Sequence, residues 1–159
     1  VKRRKIKIVF FAEGDHVAYY TLKYDGEDDT EYDKFFANYD TEEFKEDIDT
    51  LMTAMEMIAE NGAEDRHFRY AGSEFDNAME LPPNMYSSQL RLYCLKISKN
   101  IVILGNGGKK ETRTYQEDPW LDSCVKILQE IDRLLKQRIE SREVEIKGKQ
   151  LIGHLSFYI

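Results

Sequence analysis

The sequence predicts an α+β fold, a central and mostly antiparallel sheet carrying two main helices. Three observations predict it. Runs rich in β-branched and aromatic residues recur at 5–11 (KIKIVFF), 17–24 (VAYYTLKY) and 90–104 (LRLYCLKISKNIVIL). Phe44, Ile48, Leu51, Met52, Met55, Ile58 and Ala59 recur at helical spacing. A second helical stripe joins Leu121, Cys124, Val125, Leu128, Ile131 and Leu135. At 159 residues the chain fits one domain and can bury an ordinary core. We divide it into an N-terminal hairpin and variable segment (1–40), a core (41–141) and a C-terminal extension (142–159).

Residues 5–11 and 17–24 form the opening hairpin, with EGDH as its turn. DGEDDTE is a polar loop, and 31–39 (EYDKFFANY) reads as a short helix. The first main helix spans 41–61: Asp40 or Thr41 is the expected N-cap, Glu42 and Glu43 suit the first turn, and Gly62 suits the position after the end. Its acidic outer face reads as solvated surface, and its methionines as core filling. RHFRYAG (66–72) reads as a short strand, and FDNAMELPPNMYSS as irregular around Pro82 and Pro83. In LRLYCLKI, Arg91 and Tyr93 share one face while Leu92 and Cys94 share the other. IVIL is apolar throughout, so it is expected as a central strand covered on both sides, which GNGG then interrupts. KKETRTY is expected as an exposed strand or loop. Asp118 followed by Pro119 starts the second main helix, which runs to about 141. VEIKGKQLIGHLSFYI adds one or two strands.

Hydrophobic residues make up 42% of the chain and mean hydropathy is -0.61, which predicts a soluble protein. No apolar run reaches the roughly 18 residues of a membrane helix, and VKRRK leads into no secretory signal, so a cytoplasmic location is expected. Cys94 and Cys124 lack metal-ligand spacing and read as reduced, buried thiols; His16, His67 and His154 form no metal motif. No metal site is expected.

Charge is uneven. The net charge is -7, yet residues 1–12 hold five basic and no acidic residues, whereas 13–60 hold three basic and sixteen acidic ones. Within 81–115 there are six basic residues against Glu111 alone. The overall sign argues against RNA or DNA binding by the whole surface and leaves room for one local anion site. Arg91 on the hairpin and the Lys109, Lys110, Arg113 segment suit a phosphodiester: arginine as a two-pronged clamp, lysine as a point charge. GNGG lets the backbone bend or bulge just before the lysines. Tyr93 or Tyr115 supplies a surface on which a base stacks. GNGGKK is not a phosphate-cradling P-loop, because it lacks the GxxxxGK[ST] spacing and Lys110 is followed by Glu111. The plainer alternative is a set of solubilising charges on an exposed strand.

The order of elements carries a resemblance. An acidic helix ending in NGA is followed by RHFRY, an ME-LPP segment, LRLYCLKISKNIVIL, GNGGKKETRTY and a capped helix. Over roughly 41–135 this resembles the RelE/HigB-like toxins of bacterial toxin–antitoxin systems, particularly their phage-associated relatives. The resemblance implies a RelE/ParE-like sheet and a metal-independent endoribonuclease, an mRNA interferase without cofactor. In it the RNA's own 2′-hydroxyl attacks the adjacent phosphate. Arg91 would bind that phosphate, Lys109 and Lys110 would stabilise the developing charge, and Arg113 would be a second clamp. Tyr115 or Tyr93 would orient a base or relay a proton; Arg69, Tyr93 and Lys96 would contact RNA. Partners would be RNA, including ribosome-bound mRNA, and an antitoxin protein, with no membrane. The chain departs from the family in being acidic and longer, and in having no histidine in the lysine segment. A non-catalytic protein- or nucleic-acid-binding module on the same fold is the alternative.

Overall fold

The computed structural model describes residues 3–71, 76–83 and 87–159. Strand β1 (Lys5–Glu13) and strand β2 (Ala18–Tyr24) form the opening hairpin, and helix α1 (Glu31–Tyr39) follows. A 3-10 turn (Glu42–Phe44) leads into helix α2 (Lys45–Asn61). After a second 3-10 turn (Asp65–His67) come strands β3 (Arg69–Tyr70), β4 (Ala78–Leu81), β5 (Leu90–Ser98) and β6 (Ile101–Lys109). A third 3-10 turn (Tyr115–Glu117) precedes helix α3 (Pro119–Glu140). Strands β7 (Val144–Lys147), β8 (Gln150–Gly153) and β9 (Ser156–Tyr158) end the chain. The main sheet has the order β3-β4-β5-β6-β2-β1-β9, and β7-β8 form a separate hairpin. Strands β2 and β6 run parallel; every other neighbouring pair of the main sheet is antiparallel. Among the described residues the fold is therefore α+β with a large mixed sheet and three helices.

Strand alternation explains the layers. Ile101 and Ile103 of β6, with Tyr93 and Leu95 of β5, pack against Leu121, Cys124, Val125, Leu128, Ile131 and Leu135 of α3. Val102, Leu104, Leu92 and Cys94 point the other way, against Phe35 of α1 and Ile48, Leu51, Met55 and Ile58 of α2. IVIL is thus covered on both faces, as its unbroken apolar run predicts. Each fully buried leucine here stabilises by about 1.5–3 kcal/mol. Asp118 caps α3 by accepting from the Trp120 and Leu121 amides.

Several expectations change. Thr41 makes no side-chain cap; the capped start belongs to α1, where Thr30 and Asp33 form a capping box. Residues 78–81, expected as irregular, are strand β4, because the two prolines follow the strand instead of lying in it. AMEL is buried at all four positions, so it lacks the alternation that marks a half-exposed strand. GNGG does not interrupt β6. Three steps from Leu104 to Gly107 oppose two from Leu92 to Cys94, so Gly105 and Asn106 form a bulge and pairing continues to Lys109. Gly107 permits this: a Cβ there would lie 1.9 Å from the Arg91 carbonyl oxygen. The tail yields β7 and β8, and β9 joins the sheet edge through Lys5↔Tyr158 and Lys7↔Ser156. Among the described residues no helix is long and apolar enough to cross a membrane.

Candidate functional site

Cross-strand register builds the site. Arg69 on β3 is opposite Glu80 on β4, which is opposite Tyr93 on β5. Arg91 stands two residues before Tyr93 and so shares its face. This is the face α3 covers further along the sheet, which corrects the expectation that Arg91 and Tyr93 lie on an open polar surface: Tyr93 is wholly buried. Lys110 lies just past β6, and its amide donates to the Gln89 carbonyl at 2.8 Å.

Glu80, 3% exposed, is the centre. Arg91 Nε is 2.9 Å from its Oε2, and Lys110 Nζ is 4.0 Å from its Oε1. The short Arg91 contact is a largely buried ion pair. Arg91 Nη1 donates to the Ser88 and Leu90 carbonyls at 2.6 and 2.9 Å, which holds the guanidinium in place. Arg69 feels both the Glu80 charge and that of Arg91. The Tyr93 hydroxyl is buried without a hydrogen-bond partner among the described residues. Three cations from separate segments therefore surround one carboxylate in a mostly buried cluster. Charged groups cost stability where they are buried, and strongly shifted ones cluster at functional sites.

Burial pushes the Glu80 carboxyl above the usual carboxylate range, against the pull of Lys110, Arg91 and Arg69. Burial likewise pushes the Tyr93 phenol up, and the Glu80 charge adds to it. A carboxyl raised in the folded state binds its proton more tightly folded than unfolded. Its contribution to stability therefore falls as pH rises from the ordinary carboxylate value through the folded one. Urea unfolding across that window should show a stability loss with pH that Glu80→Gln lacks. Parallel curves for the two proteins would refute this.

The remaining candidates lie apart. Lys109 turns to the opposite face, pairs with Glu111 at 2.9 Å and stands 6.0 Å over the Phe44 ring. Its ammonium is held above the usual range first by Glu111, with Glu43 and Asp47 adding to it. Lys96 pairs with Asp65 at 2.6 Å. Arg113 is exposed in the stretch between β6 and the third 3-10 turn. Tyr115 is buried edge-on to Tyr93, with ring centres 6.3 Å apart, so neither ring offers an open stacking face. His67 is buried and accepts the Glu64 amide through Nδ1 at 3.2 Å. Both cysteines are free and buried, and burial pushes the Cys124 thiol to about 12.

Glu80 is the residue that sequence reading missed. Its one signal was an acid inside an otherwise apolar tetrapeptide, AMEL, ahead of a basic strand. Comparison of the chain with protein-family models, curated proteins and solved structures gives no match.

Proposed function

We propose that this protein is a RelE/HigB-like, metal-independent endoribonuclease that acts on mRNA in the cytoplasm under the control of an antitoxin protein. The observation that carries the reading is the gathering of Arg69, Arg91 and Lys110 around Glu80. The element order supports it: α2 precedes the antiparallel β4-β5-β6, Arg91 lies on β5, Lys109 ends β6 with Lys110 just past it, and α3 follows. In this reading Lys110 meets the scissile phosphate first. Among the described residues its nearest carboxylate oxygen is 4.0 Å away, too far for a direct hydrogen bond, so its ammonium keeps donors for a phosphate. Arg91 and Arg69 add positive charge behind it. The Glu80 carboxylate takes the 2′-hydroxyl proton as the 2′ oxygen bonds to phosphorus. The bond to the 5′ oxygen breaks, that oxygen takes a proton from the Lys110 ammonium, and a cyclic phosphate remains. A raised carboxyl pKa suits a general base, since it brings the proton affinity closer to neutrality. Glu80 thus fills the role for which the lysine segment has no histidine. Tyr93, opposite Glu80 in the strand register, is a positioning residue.

The opposite directions of the two lysines supply the test. Lys110→Ala should abolish growth arrest on expression in a bacterial host and weaken RNA binding, with a shallower salt dependence. Lys109→Ala should retain both. Equal behaviour of the two variants would remove Lys110 from the site.

The second reading, a non-catalytic binding module, is favoured by the burial of Glu80. A carboxylate 3% exposed meets a ribose hydroxyl only when the strands around it part. RNA binding that weakens steeply with salt while the RNA stays intact would select this reading.

A further inference from the structure

A groove of about 370 Å³ runs between the end of β1 and helix α2, and none of Arg69, Glu80, Arg91 and Lys110 lines it. Phe11, Tyr32, Met52 and Met55 form its apolar floor. Phe11 is 40% exposed, and its ring lies 4.7 Å from that of Tyr32, whose hydroxyl meets the Met52 sulfur at 3.8 Å. Gly14 closes one end against α2, where an added Cβ would lie 2.7 Å from the Ala59 methyl carbon. The rim is acidic: Glu13, Glu56 and Glu60. Lys149 answers Glu13 at 3.3 Å. Glu56 and Glu60, one helical turn apart and both exposed, have no ion-pair partner among the described residues. Past Ile8, whose amide donates to the Leu155 carbonyl at 2.9 Å, no strand among the described residues pairs with the outer edge of β1.

An exposed aromatic beside methionines on a packed floor is a surface suited to an apolar anchor. Methionine adapts its shape to what it meets, and an amphipathic segment presents such anchors at regular spacing. The two unanswered carboxylates select the sign of the flanking charge. Residues 13–60 hold sixteen acidic and three basic residues, so an acidic segment would be repelled and a basic one drawn in. We infer that the β1–α2 groove is a docking site for a basic amphipathic segment of a partner protein, with apolar anchors on Phe11 and Met52 and lysines or arginines against Glu56 and Glu60.

The probe is a fluorescein-labelled 18-residue peptide of leucine and lysine, with leucines at helical spacing. Its binding to the full chain is followed by fluorescence anisotropy. Saturable binding is expected. Glu56→Lys/Glu60→Lys should weaken it at least tenfold, and Phe11→Ser should weaken it comparably. Glu42→Lys/Glu46→Lys makes the same charge change on exposed residues outside the groove and should alter affinity less than twofold. All these side chains are exposed, and circular dichroism checks that each variant is folded. Three results would overturn the inference: no saturable binding, equal weakening by the two charge reversals, or equal affinity of a peptide with serine in place of leucine. Sedimentation showing that a second copy of the chain covers the groove would overturn it as well.

Discussion

Replacing Glu80 by glutamine is expected to slow RNA cleavage by about 10²–10⁴-fold, the range attributed to a positioned general base. The amide keeps the shape of the side chain and cannot take the 2′-hydroxyl proton. Binding should move the other way. Among the described residues Glu80 is the one acid that contacts Lys110 and Arg91, so its neutralisation raises the local positive charge by one. RNA affinity should rise, and its salt dependence should steepen by roughly one phosphate contact. Opposite signs for cleavage and binding separate this account from simple unfolding, which would lower both. Cleavage of a labelled RNA and anisotropy across a salt series measure the two. Undiminished cleavage by Glu80→Gln would remove Glu80 as the base and leave the positive cluster as a binding surface.

Arg91→Ala should produce the largest loss of stability, about 3 kcal/mol, as for a buried pair stripped of one partner. The Arg91 and Glu80 side chains are only 11% and 5% exposed, so solvent screens their contact little. Without Arg91, Glu80 keeps Lys110 at 4.0 Å and the field of Arg69, and its carboxyl is pushed further up. The loss should therefore shrink as pH falls and Glu80 takes a proton. Arg91→Ala/Glu80→Gln should recover much of it, because no charge is then stranded. Urea titrations of the two single variants and the double variant give the coupling directly. Additive losses would mean that the two side chains do not depend on each other.

Much of this architecture was legible in the residues themselves. Leu121 to Leu135 repeat at 3.6-residue spacing and form the apolar face of α3, and Asp118-Pro119 marks its start. The alternation of LRLYCLKI placed Tyr93 and Leu92 on opposite faces, as found. Local rules suffice there because each side chain's direction follows from backbone geometry a few residues long. Glu80 was not legible in that way. Its strand is four residues long, buried throughout, and next to two prolines, so neither periodicity nor propensity marks it.

By itself, then, the sequence determined the main helices, most of the strands but not β4, the double cover of residues 101–104 and the presence of unbalanced positive charge near 81–115. Tertiary structure alone decided which charges meet. Lys109 and Lys110 are adjacent in the chain, yet one stands over Phe44 and the other beside Glu80. Arg69, Glu80, Arg91 and Lys110 span more than forty residues and come together only because β3, β4, β5 and β6 pair in register. The physical reason is range. Propensity and periodicity act over a few residues, whereas an ion pair depends on the distance that long-range strand pairing sets.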